Sequence, residues 1–321
     1  MPALCGAIVL ALCNSSVALS QDLAAAADLA VSDVKLLTFP CGDLDVPTGG
    51  HVQGVQIRHD AKQHRYLAFL SHDSLKQAYV VVVAFDESLL NDGEIIHVHR
   101  FAEGRLRHAG GIQLQNNILA VGLEDNRSKD RSEVQFWDTT DPCDWKPLSH
   151  LTISRQGTPK DQTAGAVALT AVDDCYLVAV ANWDSVAIDF YRSQSLELSN
   201  PACRFRHENR WTQQDADRTD WMPDRRFGRC QSINLVAAGD SELTLYGFHQ
   251  DAEGHDVADR FRVNLQQPSS PTLTKVSSTV CALPADCHFK YGGGISIQND
   301  RPWILATPRN LGDTGHIAVL K

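Results

Sequence analysis

The sequence predicts an all-β protein, a five-bladed β-propeller closed by a strand close to the mature N-terminus. Three observations predict it. A short motif recurs five times, each copy is followed by further β-rich runs, and no helical stripe of useful length competes with them.

The motif is a few small or polar residues, then a small residue, then an aliphatic-polar-aliphatic strand start. Its copies are His51–Ile57, His108–Leu114, Thr163–Leu169, Arg229–Leu235 and Tyr291–Ile297. The aligned small residues are Gly54, Gly111, Ala166, Ser232 and Gly294, giving steps of 57, 55, 66 and 62 residues. A second strand follows each copy: Tyr66–Leu70, Ile118–Gly122, Tyr176–Ala181, Leu243–Gly247 and Trp303–Thr307. A third follows at Tyr79–Phe85, Glu133–Trp137, Val186–Tyr191, Val257–Val263 and His316–Leu320. The first four units add a fourth at Ile95–Phe101, Leu148–Ile153, Cys203–His207 and Thr272–Ser277.

These runs are rich in β-branched and aromatic residues and are bounded by turn formers. Four strands per unit at this period is the pattern of a propeller blade. The fifth unit ends at Lys321 with three strands, so Val34–Phe39 is expected to supply its fourth. That pairing joins the two chain ends and removes an open sheet edge. The best helix candidate is the short Ala-rich stretch Leu23–Leu29.

Composition agrees with a folded, turn-rich chain. Of 321 residues, 43% are hydrophobic and 21% charged, with 21 Gly and 13 Pro. The net charge of −10 argues against a nucleic-acid backbone as partner, which rewards positive charge. Residues 1–20 carry no charged side chain. They hold the apolar run Ala7–Cys13 and then Ala18-Leu19-Ser20, which reads as a signal peptide cleaved before Gln21. The mature domain is then 21–321, one propeller, periplasmic or secreted, with no membrane span: the run is too short to cross a bilayer and no later one approaches that length. Seven cysteines remain in the mature chain, and export makes two or three disulfides the expectation, with Cys281 and Cys287 spaced to close a small loop.

Val134–Pro142, followed by Pro147 and Leu148, resembles the third-strand and turn signature of LVIVD-type propeller repeats. The other units match it only in part. The resemblance implies a propeller fold in exported and cell-surface proteins, and no reaction.

Antiparallel strands bring the start of each first strand and the end of each second strand to one face. Five copies therefore ring one mouth of the central channel. The first ring is His51, His108, Thr163, Arg229 and Tyr291. The second holds Asp73, Asp125, Asp184, His249 and Arg309 with their neighbours His72, Glu124, Trp183, Gln250, Asp251 and Asn310. Such a concave, mixed-charge opening is where a closed repeat fold binds ligands. The leading reading is binding of a small molecule, a saccharide or a protein partner at this mouth, since no catalytic fingerprint is present. The alternative is a hydrolase or lyase on an acidic saccharide-like substrate, with His51, His108, Arg229 and Tyr291 as the catalytic candidates. His51 and His108, with Asp73 or Asp125, also form the candidate set for a divalent metal cofactor. The plainer roles are turn capping for Asp73, Asp125 and Asp184, and surface exposure for His97 and His99 on an outer strand. The insertion Trp211–Gly228 is expected to lie over the same mouth, and Asn126-Arg127-Ser128 fits a glycosylation sequon.

Overall fold

A strand from near the N-terminus, β1 (Val34–Pro40), leaves the first blade to the chain that follows it. Blade 1 is β2 (Val52–Asp60), β3 (Arg65–His72), β4 (Tyr79–Asp86) and β5 (Glu94–Arg100). Blade 2 is β6 (His108–Gln115), β7 (Ile118–Glu124), β8 (Arg131–Asp138) and a broken outer strand, β9 (Lys146–Pro147) and β10 (Ile153–Gln156). Blade 3 is β11 (Ala166–Val172), β12 (Cys175–Ala181), β13 (Ala187–Ser193) and β14 (Phe205–Thr212). Blade 4 is β15 (Ser232–Ala238), β16 (Glu242–Gln250), β17 (Asp256–Val263) and β18 (Leu273–Cys281). Blade 5 is β19 (Cys287–Gln298), β20 (Arg301–Pro308) and β21 (Thr314–Leu320), completed by β1. The computed structural model describes residues 33–321 except 43, 48, 214–228, 239–241, 266–271 and 285. The expected signal peptide 1–20, the stretch Leu23–Leu29 and most of the insertion Trp211–Gly228 lie outside the described residues.

The molecule is a five-bladed β-propeller. The inner strands β2, β6, β11, β15 and β19 are neighbours in turn, and β19 returns to β2. Closure is antiparallel, from Val34 opposite Leu320 to Pro40 opposite Thr314. The outer strand of blade 2, expected as the single run Leu148–Ile153, is interrupted by a 3-10 turn at Ser149–Leu151. Blade 3 ends later than the expected Cys203–His207, because β14 runs on to Thr212.

The two-residue period explains the packing. On β3, Leu67 and Phe69 face blade 2, whereas Tyr66, Ala68 and Leu70 face blade 5. Each blade is apolar on both faces, and five separate cores lie between successive blades. The aligned small residues have a steric cause. A Cβ on Gly54 would stand 2.8 Å from Ile112 N and 2.9 Å from Gly111 Cα, and one on Gly294 would overlap Val55 O. At these two glycines the inner strands converge too tightly for a side chain.

Two expectations are corrected. Among the described residues no disulfide forms: Cys41, Cys143, Cys175, Cys203, Cys230, Cys281 and Cys287 are each unbridged. Six are buried and pack as small apolar groups, spread over the blades. Cys281 and Cys287 lie in one core but on different blades, and the Cys281 thiol turns to Thr279 O. His97 and His99 are also not plain surface residues. His99 stacks on Trp145 at 4.4 Å and meets Trp137 edge-on at 4.3 Å, and His97 lies 5.9 Å from Trp145. Burial, with His97 adding to it, pushes the His99 imidazole down to about 4.

Candidate functional site

Strand pairing brings the two rings together as the antiparallel argument requires. Val52 pairs with His72 and His108 with Glu124, at the ends of their hairpins. A recess of about 190 Å³ opens at this mouth. His51, His108, Glu124, Trp183, Asp184 and Arg229 line it, with Gln53 beneath.

His108 is the centre of the site. It is 6% exposed, with Nδ1 3.2 Å from Glu124 Oε1 and Nε2 3.8 Å from Asp73 Oδ2. The Nδ1 contact is close without being aligned as a hydrogen bond, and neither atom has another partner. Glu124 is wholly buried and is fixed by the Ala164 N–H, which donates to Oε2 at 2.9 Å. Burial opposes charge on His108, but the carboxylates of Glu124 and Asp73 outweigh it and hold its pKa above the ordinary value.

Gln53 ties the two histidines together. One end of its amide lies 2.9 Å from His108 Nε2 and 3.3 Å from His51 Nε2, the end that must be the oxygen when His108 is protonated, and the other end meets the Gln231 amide. The metal reading of His51 and His108 meets this amide, which occupies both imidazole nitrogens that would face a shared ion. Among the described residues, one trio brings ligand atoms within 4.8 Å of one another: Asp251, Glu253 and His255, on the turn between β16 and β17 of blade 4.

The other candidates divide. Tyr291 packs edge-on against His51 at 5.9 Å, and the exposed Arg309 guanidinium lies over the Tyr291 ring at 5.5 Å. Both therefore flank the recess on the His51 side. Arg229 is exposed at the lip. Asp184 is exposed too, and with Ser185 it holds a left-handed backbone, at φ 60° and 51°. That conformation is costly for non-glycine residues and here presents Trp183 to the recess. Lys129 covers the indole at 3.5 Å.

Thr163 is fully buried; its hydroxyl receives the Trp183 N–H and donates to Lys160 O. It holds the Trp183 turn rather than a ligand. Asp73 accepts from His51 N at 2.5 Å. Asp125 caps its own turn through Arg127 N and Ser128 N and pairs with Arg105. Burial would raise Asp125, but these hydrogen bonds win and hold it at about 2. His249 points into blade 4, 3.1 Å from the buried Asp259, which also pairs with Lys275 at 3.0 Å. Sequence reasoning noted Glu124 and Trp183 only as neighbours of aspartates. Gln53 was missed, although its polar side chain two residues after a ring histidine was the available signal.

No protein family matches the sequence, and no characterised protein matches it. The fold is similar to solved propellers. An α-L-arabinofuranosidase from Podospora anserina, in complex with cellotriose, aligns over 89% of this chain and 96% of its own at 10% identity, TM-score 0.50. The catalytic domain of a Coprinopsis cinerea GH62 α-L-arabinofuranosidase covers 84% and 91% at 11% identity, TM-score 0.46. A GH43 β-xylosidase/α-arabinofuranosidase from a compost microbial metagenome, in complex with xylotriose, covers 87% and 94% at 12% identity, TM-score 0.46. At such identities the likeness is one of fold.

Proposed function

We propose that the chain is an exported enzyme that cleaves a glycosidic bond in an acidic saccharide bound at the His51–His108 mouth. The observation that carries this is His108, held at the floor of the recess between Glu124 and Asp73. Side chains splayed around a wide open channel would have favoured simple binding. Instead an imidazole with a raised pKa stands within reach of two carboxylates. The substrate class follows from the lip, where Arg229, Arg309 and Lys129 offer positive charge to a carboxylate beside the Trp183 indole. Carrying over the saccharide substrates of the arabinofuranosidase neighbours is part of the proposal.

The chemistry differs from a pair of carboxylates acting alone. In this proposal His108, held between Asp73 and Glu124, is the proton donor to the leaving oxygen. In hydrolysis the proton of His108 passes to the leaving oxygen as the glycosidic C–O bond breaks, a water adds at the sugar carbon, and the proton that this water sheds returns to the imidazole. A binding-only role is the second reading, favoured by those same structural ties on Asp73 and Glu124.

The test is incubation with a uronate-containing oligosaccharide. New reducing ends without ultraviolet absorbance establish hydrolysis. Reducing ends with the absorbance of an unsaturated uronate establish elimination instead. Retained binding with no product overturns catalysis and leaves the binding role.

A further inference from the structure

The hub has a second mouth, at the far ends of the inner strands. There a cavity of about 570 Å³ takes its walls from all five blades. That is within the usual size of small-molecule sites. It is a cup and not a bore, because buried amides close it from within. Gln113 Nε2 donates to Leu235 O at 2.7 Å, while its Oε1 accepts from Leu169 N and Leu235 N. Asn234 Oδ1 accepts from Ile295 N at 2.9 Å, and Gln56 Nε2 lies 3.3 Å from the same oxygen. These bonds cross between blades and leave no open path to the recess above.

Among the described lining residues there is no carboxylate, and Arg58 is the one fixed charge. Arg58 donates to Asn117 Oδ1, at the cavity wall, and to Thr139 O, and His59 Nε2 lies 2.9 Å from Glu87 Oε1. Four polar side chains keep unused capacity. Thr170 is 3% exposed and its hydroxyl bonds to nothing in the described chain. Ser296 accepts the Ile57 N–H and keeps its own O–H. Gln298 donates to Ile57 O and keeps Oε1. Gln115 also lines the space, and its amide has no partner among the described residues. Aliphatic side chains such as Leu235 and Ile295 lie between them.

Unused donors and unused acceptors stand here in about equal measure. An anion asks for donors alone and a cation for acceptors alone, whereas a hydroxyl group takes both. We infer that the far mouth is a second binding site, for a neutral polyhydroxylated molecule of mono- or disaccharide size. It is independent of the cleavage proposed at the near mouth.

Saturation-transfer NMR on the full chain tests this, with cellobiose as the neutral probe and galacturonate as the charged one. Cellobiose should receive saturation from the wild type. Gln115→Leu and Thr170→Val should each weaken it about 5-fold, the loss of one or two neutral hydrogen bonds. Thr170→Ser should restore it, and Trp183→Ala at the other mouth should leave it unchanged. Unaltered thermal melting of each variant shows that the fold is kept. Cellobiose transfer that is absent, that survives both far-mouth variants, or that is lost on Trp183→Ala overturns the site. Transfer to galacturonate that is lost on Thr170→Val overturns the neutral ligand class.

Discussion

The two ends of the hub are built from the same five strands and share almost no chemistry. At the near end the strands start with His51, His108, Arg229 and Tyr291, and carboxylates from the second strands come up against them. At the far end the same strands finish in amides, hydroxyls and aliphatic residues around a cavity three times larger. The difference teaches that size does not locate the chemistry. Charge collects where hairpin ends meet strand starts, because two side-chain rings converge there, whereas a single set of strand ends frames the far cup.

The amide layer between the ends is the first place to break this comparison. Gln113 alone satisfies three buried backbone groups on blades 3 and 4. Gln113→Ala strands all three, at about 1–3 kcal/mol each, so an overall loss of about 4 kcal/mol is expected in chemical denaturation. A loss below about 1 kcal/mol would mean that water already fills the hub and that the two ends are one channel.

The next largest effect concerns the near mouth alone. Glu124→Gln keeps shape and the contact with Ala164 N but removes the charge that holds the proton on His108. Cleavage of an acidic saccharide should fall about 100-fold, within the range general acid–base groups supply. The far-mouth variant Gln115→Leu should leave the rate unchanged. Equal effects of the two would erase the distinction between the ends.

The fold was legible because its signals are local and repeated. The small residues at 54, 111, 166, 232 and 294 mark the crowded hub, and β-rich runs at a regular period mark the blades. The site was legible as far as strand pairing reaches, which put His51, His108 and Arg229 on one mouth. What sequence could not give was the direction of each side chain. His249 and Thr163 occupy ring positions yet turn to Asp259 and to the Trp183 backbone. Nor could it give the partner of a buried group from another blade: the tie between Glu124 and Ala164 N spans 40 residues and that between Gln113 and Leu235 spans 122. The broken outer strand of blade 2 was hidden for another reason, since its apolar residues satisfy a 3-10 turn as readily as a strand.

The smallest effects are those of pH, and they carry opposite signs at two places. His99, wedged between tryptophans of blade 2, has its pKa lowered to about 4 from 6.5. Between these values the unfolded chain takes up a proton that the folded one refuses, so stability falls as pH drops through this window, by at most about 3 kcal/mol. His99→Phe should flatten that part of a melting-temperature profile. His108 behaves in the reverse sense. Its raised pKa, set against burial by Glu124 and Asp73, gives stability that is fully present below 6.5 and is lost as pH rises through the folded value. The gap in melting temperature between wild type and His108→Asn should therefore narrow as pH increases. A gap that widened would show that His108 is neutral in the folded state, which would take away the proton that sets the near mouth apart from the far one.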